Sequence, residues 1–286
     1  MRTKLIFLLS VGLLAGCASG NRSSNEAGTD AYENGASDSS GDSNSRSQKE
    51  AREEETPKPT QVTTRDDANV LSDAIKSGHD DSIVRAAVQI LSKNPYDARA
   101  LTALGYYRYK RGQYAAAQLM LGKALKANPN YSDAHTNMGL TLLALKEQRE
   151  AIKSFRTAIA INNNDGNAAA TLGSIYLENK DFIKALVALE IAARKNYKDP
   201  KVLNNYAVAL TATGKYNDAR DIYKQAMSLN SNNKDIMYNY AILLIDHLKK
   251  YDEGLDLLSK VKFLGPSTEA RNKINVLENK AKAGLK

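Results

Sequence analysis

Glycine or alanine returns every 34 residues at Gly105, Gly139, Gly173, Ala207 and Ala241. A fixed period of that size is the signature of a chain assembled from stacked copies of one supersecondary unit. Ala117, Ala151, Ala185 and Ala219 keep the same step, and so do Ala124, Ala158, Ala192 and Ala226; Pro95 and Pro129 repeat it once more. Within one unit, Leu101, Leu104, Gly105 and Arg108 fall at helical i, i+3, i+4, i+7 spacing, and Ala117, Leu121 and Ala124 repeat the pattern further on. Each unit therefore reads as a helical hairpin, with the small residues placed where its two helices approach closely.

Those small positions, together with turns such as Gly112-Gln113-Tyr114 and Gly214-Lys215-Tyr216 and the repeated proline, resemble the tetratricopeptide repeat. The resemblance covers five clear units, 98–131, 132–165, 166–199, 200–233 and 234–268, the last with one residue inserted before Tyr251. It implies an all-α, right-handed superhelical solenoid. A degenerate N-terminal unit, 64–97, keeps Ile83, Ala87, Ile90 and Pro95 but has a weak first helix, and Thr268 to Lys282 reads as a closing helix with Ile274 and Leu277 turned inward. Such caps cover the apolar face of an end unit that has no further neighbour. The family's tryptophan at position four is missing; Leu101, His135, Ala169, Leu203 and Met237 stand there, and His135 is expected at an edge.

Ahead of the repeats, Arg2 and Lys4 precede an apolar run from Leu5 to Leu14. It is too short to span a hydrocarbon core of roughly 30 Å and has the layout of a secretory signal peptide, residues 1–16. The run ends in Leu14-Ala15-Gly16-Cys17, which resembles the lipobox of bacterial lipoproteins and implies that Cys17 is lipidated and becomes the first residue of the mature chain. Cys17 is the only cysteine, so no intramolecular disulfide is expected. Ala18 and Ser19 follow it, where an Asp would mark retention in the inner membrane in that family; the expectation is a cell-envelope protein anchored by lipid at the outer membrane and facing the periplasm. Residues 17–63 are rich in Ser, Gly, Asn, Asp and Glu, with Tyr32 among the few large apolar side chains, a composition that predicts a disordered tether. The folded domain is expected over 64–286.

The sequence offers little to catalysis. His79, His135 and His247 are far apart and lack metal-ligand spacing, no phosphate-cradling G-x-x-x-x-G-K-[ST] loop or G-x-S-x-G elbow occurs, and Asp80-Asp81 falls where helix capping explains it. The chain is read as a non-enzyme with no cofactor and no metal. Residues 66–286 carry 32 basic and 23 acidic side chains. Export removes nucleic acid as the partner of that excess, leaving acidic protein segments, anionic lipid or wall polymer, or a solvated basic surface alone.

In the tetratricopeptide family, positions two, five, nine and twelve of each first helix line a concave groove. Here they are Arg99, Thr102, Tyr106 and Tyr109; Asp133, Thr136, Leu140 and Leu143; Asn167, Ala170, Ser174 and Leu177; Lys201, Asn204, Val208 and Thr211; and Asp235, Tyr238, Ile242 and Ile245. Apolar and aromatic residues on that face point to a peptide-binding groove, with Arg99, Thr102, Tyr106, Tyr109, Leu140, Leu143, Leu177, Asn204, Val208, Tyr238, Ile242 and Ile245 as its candidate lining. The expected ligand is an apolar strip flanked by acidic residues that meet the domain's excess of Lys and Arg. The carboxylate clamp of one chaperone-docking branch of the family is absent, because Thr102 and Tyr106 hold two of its places.

Lipobox, tether and groove together resemble the outer-membrane pilotin and assembly lipoproteins of type IV and Tad-type pili. That resemblance implies a scaffold that binds an envelope protein, such as a secretin subunit, during assembly. An adaptor that docks cell-wall enzymes such as peptidoglycan hydrolases is the alternative reading.

Overall fold

The computed structural model describes residues 64–195 and 198–286. The signal peptide, Cys17 and the tether lie outside the described residues. Among these, thirteen α-helices form six antiparallel hairpins and a closing helix, with no strand. The first helices are α1 (Arg65–Ser77), α3 (Ala98–Lys110), α5 (Ser132–Ala144), α7 (Gly166–Glu178), α9 (Pro200–Ala212) and α11 (Lys234–Ile242). Their partners are α2 (Asp80–Lys93), α4 (Tyr114–Ala127), α6 (Gln148–Ile161), α8 (Phe182–Lys195), α10 (Tyr216–Leu229) and α12 (Tyr251–Phe263). Helix α13 (Thr268–Gly284) closes the stack.

Starts of the first helices are written into the sequence as side-chain caps. Asp97, Asp165, Asp199 and Asn233 accept backbone N–H groups of the turn that follows, satisfying donors that a helix N-terminus leaves open. Each hairpin then turns through one residue of positive φ at the same place in the unit: Gly78, Gly112, Lys146, Lys180, Gly214 and Lys249. Glycine takes that conformation freely, whereas three lysines hold it against the crowding of their own β-carbons.

The ladder of small residues has the expected cause. A β-carbon on Gly105 would lie 2.7 Å from Cγ of Leu121, and one on Gly139 would lie 2.7 Å from the Phe155 ring. Gly173 meets Leu189 more closely still. Leu121, Phe155 and Leu189 are fully buried, so the glycines are the sockets into which the second helices set their largest knobs. Arg108, expected on this packed stripe, is instead exposed and donates from Nη1 to Oε1 of Gln113 at 2.7 Å.

First helices touch the first helices of neighbouring units, while second helices pack against first helices on either side. One surface of the array is thus lined by first helices and the opposite surface by second helices.

The ends depart from the sequence expectation in informative ways. Helix α1 is as long as α3, α5, α7 and α9, although few of its residues are apolar. A capping box joins Thr64 and Asp67, and the Asp67 carboxylate also receives Lys93 Nζ of α2 at 2.8 Å. Polar bonding thereby replaces part of the missing apolar stripe. At the other end, the inserted residue is absorbed as a π-helical turn, Leu243–His247, that continues α11. In other hairpins the turn amide bonds back five residues, as Gln113 N does to Arg108 O at 2.9 Å; Lys250 N instead reaches back six, to Leu244 O, at 2.9 Å. Helix α13 buries Ile274, Leu277 and Ala281 as the cap requires, and its Lys280 Nζ pairs with Asp246 Oδ1 of the π turn at 2.5 Å.

Candidate protein-binding groove

The surface formed by the first helices carries one aromatic patch. Tyr106 is 41% exposed and its ring lies 6.3 Å from that of Tyr109, the planes 20° apart; Tyr109 in turn lies 5.8 Å from Tyr114 of α4. Burial among these rings raises the Tyr109 hydroxyl pKa above its ordinary value. Leu140 and Leu143, from the next unit, are half-buried and rest on the cluster around Phe155. Tyr238 and Ile242 are likewise half-buried, resting on the C-terminal core.

Four expected lining residues do not reach the surface. Leu177 is 1% exposed and belongs to the core between α7, α8 and α9, and Val208 is buried in the same core. Ile245 is fully buried because it falls within the π turn and lies against Gly254. Thr102 is buried and spends its hydroxyl on Ala98 O at 2.7 Å. Position twelve of the later units therefore serves packing, as does position nine of the fourth unit, and the groove narrows there to positions two and five, joined by half-buried Ser174 and Ile242 at position nine of the third and fifth units.

The sequence reading also passed over position six. Asn137, Thr171, Asn205 and Asn239 recur there at the 34-residue step and are half-buried. Asn205 Nδ2 donates to Ser174 Oγ at 3.0 Å, and Asn239 Nδ2 donates to Asn204 Oδ1 at 3.2 Å, so polar bonds cross from unit to unit on this surface. The same count that found the glycine ladder would have found these residues.

Charge on this surface does not follow the expectation of a basic groove. Position two alternates through Arg99, Asp133, Asn167, Lys201 and Asp235, and Arg99 is already paired with Asp97 at 3.1 Å. Burial, and then the nearby Asp165, raise the Asp133 pKa; Thr136 Oγ1 donates to Asp165 Oδ2 at 2.6 Å. The Tyr131 hydroxyl is pushed up to about 12 by burial and then by Asp133. Glu178 is also raised by burial. A partner here meets aromatic and amide groups with charges of both signs, and the basic excess lies elsewhere.

Hairpins with helix-lined surfaces of this kind recur among known proteins. A tetratricopeptide-repeat family profile matches residues 85–166. The fold is that of a tetratricopeptide-repeat solenoid. A second profile, for anaphase-promoting complex subunit 3, matches residues 178–261 of the same array. The crystal structure of YrrB, a TPR protein with an unusual peptide-binding site, superposes with a TM-score of 0.60 at 18% identity, covering 70% of this chain and 99% of that one. MamA gives 0.52 at 21% identity, over 61% and 96%. Among sequences, anaphase-promoting complex subunit 3 of Schizosaccharomyces pombe is 25% identical over 63% of this chain and 27% of its own length. The type IV pilus assembly protein PilF of Pseudomonas aeruginosa is 25% identical over 52% of this chain and 59% of its own. The chain thus spans less than two thirds of either relative. A solved structure of PilF superposes with a TM-score of 0.50. Tetratricopeptide arrays are protein-binding scaffolds, and none of these findings points to catalysis.

Proposed function

We propose that this chain is a non-enzymatic assembly factor of the cell envelope, lipidated at Cys17, tethered by residues 17–63 and holding an envelope protein in its groove. The observation that carries the reading is the Tyr106–Tyr109–Tyr114 patch beside Leu140 and Leu143. Large rings with few rotatable bonds are good anchors for an incoming segment, and the exposed Tyr106 with its half-buried apolar neighbours offers such a segment contact area. Similarity to PilF supports a pilus machine as the setting and a secretin subunit as the first candidate partner. The Leu14–Cys17 lipobox supports an outer-membrane, periplasm-facing location.

A photo-crosslinking amino acid at Tyr106, activated in living cells, tests the reading, with captured chains identified by mass spectrometry. A secretin subunit or another pilus component is expected. Capture of peptidoglycan hydrolases would instead make the chain a wall-enzyme adaptor, and adducts from the outer helices with none from Tyr106 would overturn the groove. Fatty-acid labelling that persists in Cys17→Ser would overturn the anchor.

A further inference from the structure

Helices α5 and α7 form the middle of the groove surface, and neither contains a lysine or an arginine. Their charged side chains are two carboxylates, Asp133 at the start of α5 and Glu178 at the end of α7, and the cap of α7 adds a third, Asp165. His135, the remaining titratable group of α5, is engaged through Nε2 with Pro129 O at 2.9 Å. The whole chain carries 40 basic side chains against 32 acidic, so this stretch runs against the general balance. Cations before it on the same surface are already engaged, Arg99 with Asp97 at 3.1 Å and Lys110 with Asp80 at 2.7 Å. After it, Lys201 stands in the first turn of α9, where the acidic stretch ends. Lys146 and Lys180 sit in the hairpin turns at its edge, and among the described residues no cation pairs with Asp133 or Glu178. Asp165 is held in place, accepting Thr136 Oγ1 at 2.6 Å and the Ala168 amide at 2.9 Å. Asp133 is exposed and close enough to Asp165 for the two to repel. Glu178 is exposed as well, one turn beyond half-buried Ser174 on the same helix face. Leu140 and Leu143 continue α5 beyond Asp133, next to the helix that carries Tyr106 and Tyr109.

We propose that the middle of the groove grips a basic segment of the partner protein: an extended stretch with two lysines or arginines about six residues apart and apolar side chains between them. One cation docks at Asp133 and Asp165, the other at Glu178, and the apolar side chains lie on Leu140 and the tyrosines. The inference rests on the groove being the partner's seat, and it reverses the sign of partner that total charge suggests. The spacing follows from the repeat. Asp133 and Glu178 stand eleven positions apart within their units, about 16 Å along the helix axis, and neighbouring helices lie roughly 10 Å apart. The diagonal of about 19 Å is spanned by about six residues of extended chain at roughly 3.3 Å each. An acidic segment would bring a further anion to carboxylates whose charged form burial already disfavours, with Asp165 adding to the cost at Asp133. A lysine or arginine instead relieves the repulsion between Asp133 and Asp165 and replaces lost hydration with charge-assisted hydrogen bonds. Complementary charges of this kind fix register and exclude wrong partners more than they add affinity, which leaves the apolar contacts as the anchor.

The test measures fluorescence anisotropy of labelled peptides against the full chain carrying Cys17→Ser. The probe is Ser-Lys-Val-Leu-Thr-Val-Ser-Lys-Ser, and its companion has glutamate in place of both lysines. The lysine peptide should bind at least tenfold more tightly, with the ratio shrinking in about 0.5 M salt as charges are screened. Asp133→Asn combined with Glu178→Gln should bring the ratio close to one with little change in thermal midpoint. A third peptide with its lysines two positions apart should bind at least threefold more weakly than the probe. Tyr106→Ala should weaken the lysine and glutamate peptides by the same factor. Equal binding of those two peptides, or tighter binding of the glutamate one, overturns the inference, while sensitivity of both to Tyr106→Ala leaves the groove standing as the partner's seat. A ratio that persists in the Asp133→Asn, Glu178→Gln variant overturns it too, because the selecting charges then lie elsewhere. Indifference of both peptides to Tyr106→Ala overturns the inference and the groove reading together. Absence of binding by either peptide up to about 1 mM overturns the inference alone, since cross-linking from Tyr106 judges the groove independently.

Discussion

Gly254 faces the side chain of Ile245 so closely that a β-carbon at 254 would overlap Ile245 Cγ1. Other clear units carry alanine at the equivalent place, Ala117, Ala151, Ala185 and Ala219, and only this unit has the π turn that drives an isoleucine inward. The insertion and the glycine compensate each other. Gly254→Ala should therefore destabilise the domain by about 1–3 kcal/mol despite alanine's better helix propensity. Combining it with Ile245→Ala should recover part of the loss in a double-mutant cycle followed by urea unfolding. Additive effects would show the two sites to be independent.

Lys146 and Lys180 hold the left-handed turn that Gly112 and Gly214 occupy in sister units. Replacing either lysine with glycine removes β-carbon strain worth about 1–2 kcal/mol and adds back unfolded-chain entropy of roughly half that. Each change should raise stability by about 0.5–1 kcal/mol, measured by thermal unfolding. A loss at both positions would mean that the lysine side chains contribute more than the strain costs.

The two faces of α3 should answer to different assays. Tyr106→Ala with Tyr109→Ala should remove about 2–4 kcal/mol of affinity for the partner captured at Tyr106, the range of hot-spot truncations. Its cost in stability should be smaller, since Tyr106 is exposed and Tyr109 half-buried. Gly105→Leu should do the reverse and unfold the hairpin, because its β-carbon alone already crowds Leu121. A double tyrosine variant that unfolds while Gly105→Leu is tolerated would reverse the assignment of faces.

Acid should loosen the two ends of the array in separate windows. Burial holds the His247 imidazole, stacked on Tyr216 at 4.4 Å, below its ordinary value of 6.5, and its Nε2 has no hydrogen-bond partner. The unfolded chain then takes up the proton first, so C-terminal stability begins to fall as pH drops below about 6.5. Bonds from Lys93 and Thr64 hold the Asp67 carboxyl below its ordinary value of 3.8. That contribution is present above the ordinary carboxylate range and is lost only as pH falls through the depressed value. Hydrogen exchange against pH should show α12 and α13 opening at milder acid than α1 and α2. His247→Phe should flatten the first response and Asp67→Asn the second.

Positions that repeat were legible in the sequence, because a knob and its socket recur at a fixed step: Gly105 with Leu121, Gly139 with Phe155, Gly173 with Leu189. Legibility failed where a contact depends on geometry that the step does not carry. Leu177 and Val208 have the spacing of groove residues, yet the neighbouring first helix covers them. The insertion before Tyr251 could be counted, but a count does not say whether the extra residue lengthens the turn or bulges the helix. Helix α1 looked weak because its support is a capping box and a lysine from α2, and hydrophobic periodicity is blind to both.

The π turn also governs where the array can change its copy number. Duplicating residues 132–165 in tandem would lay down a hairpin whose joints match those on either side, and the chain would lengthen by one module. Duplicating the last unit would instead strand a bulged hairpin in the interior, with Asp246 facing another module and no Lys280 to receive it. By gene duplication, the solenoid is extensible from within and closed at its C-terminal end.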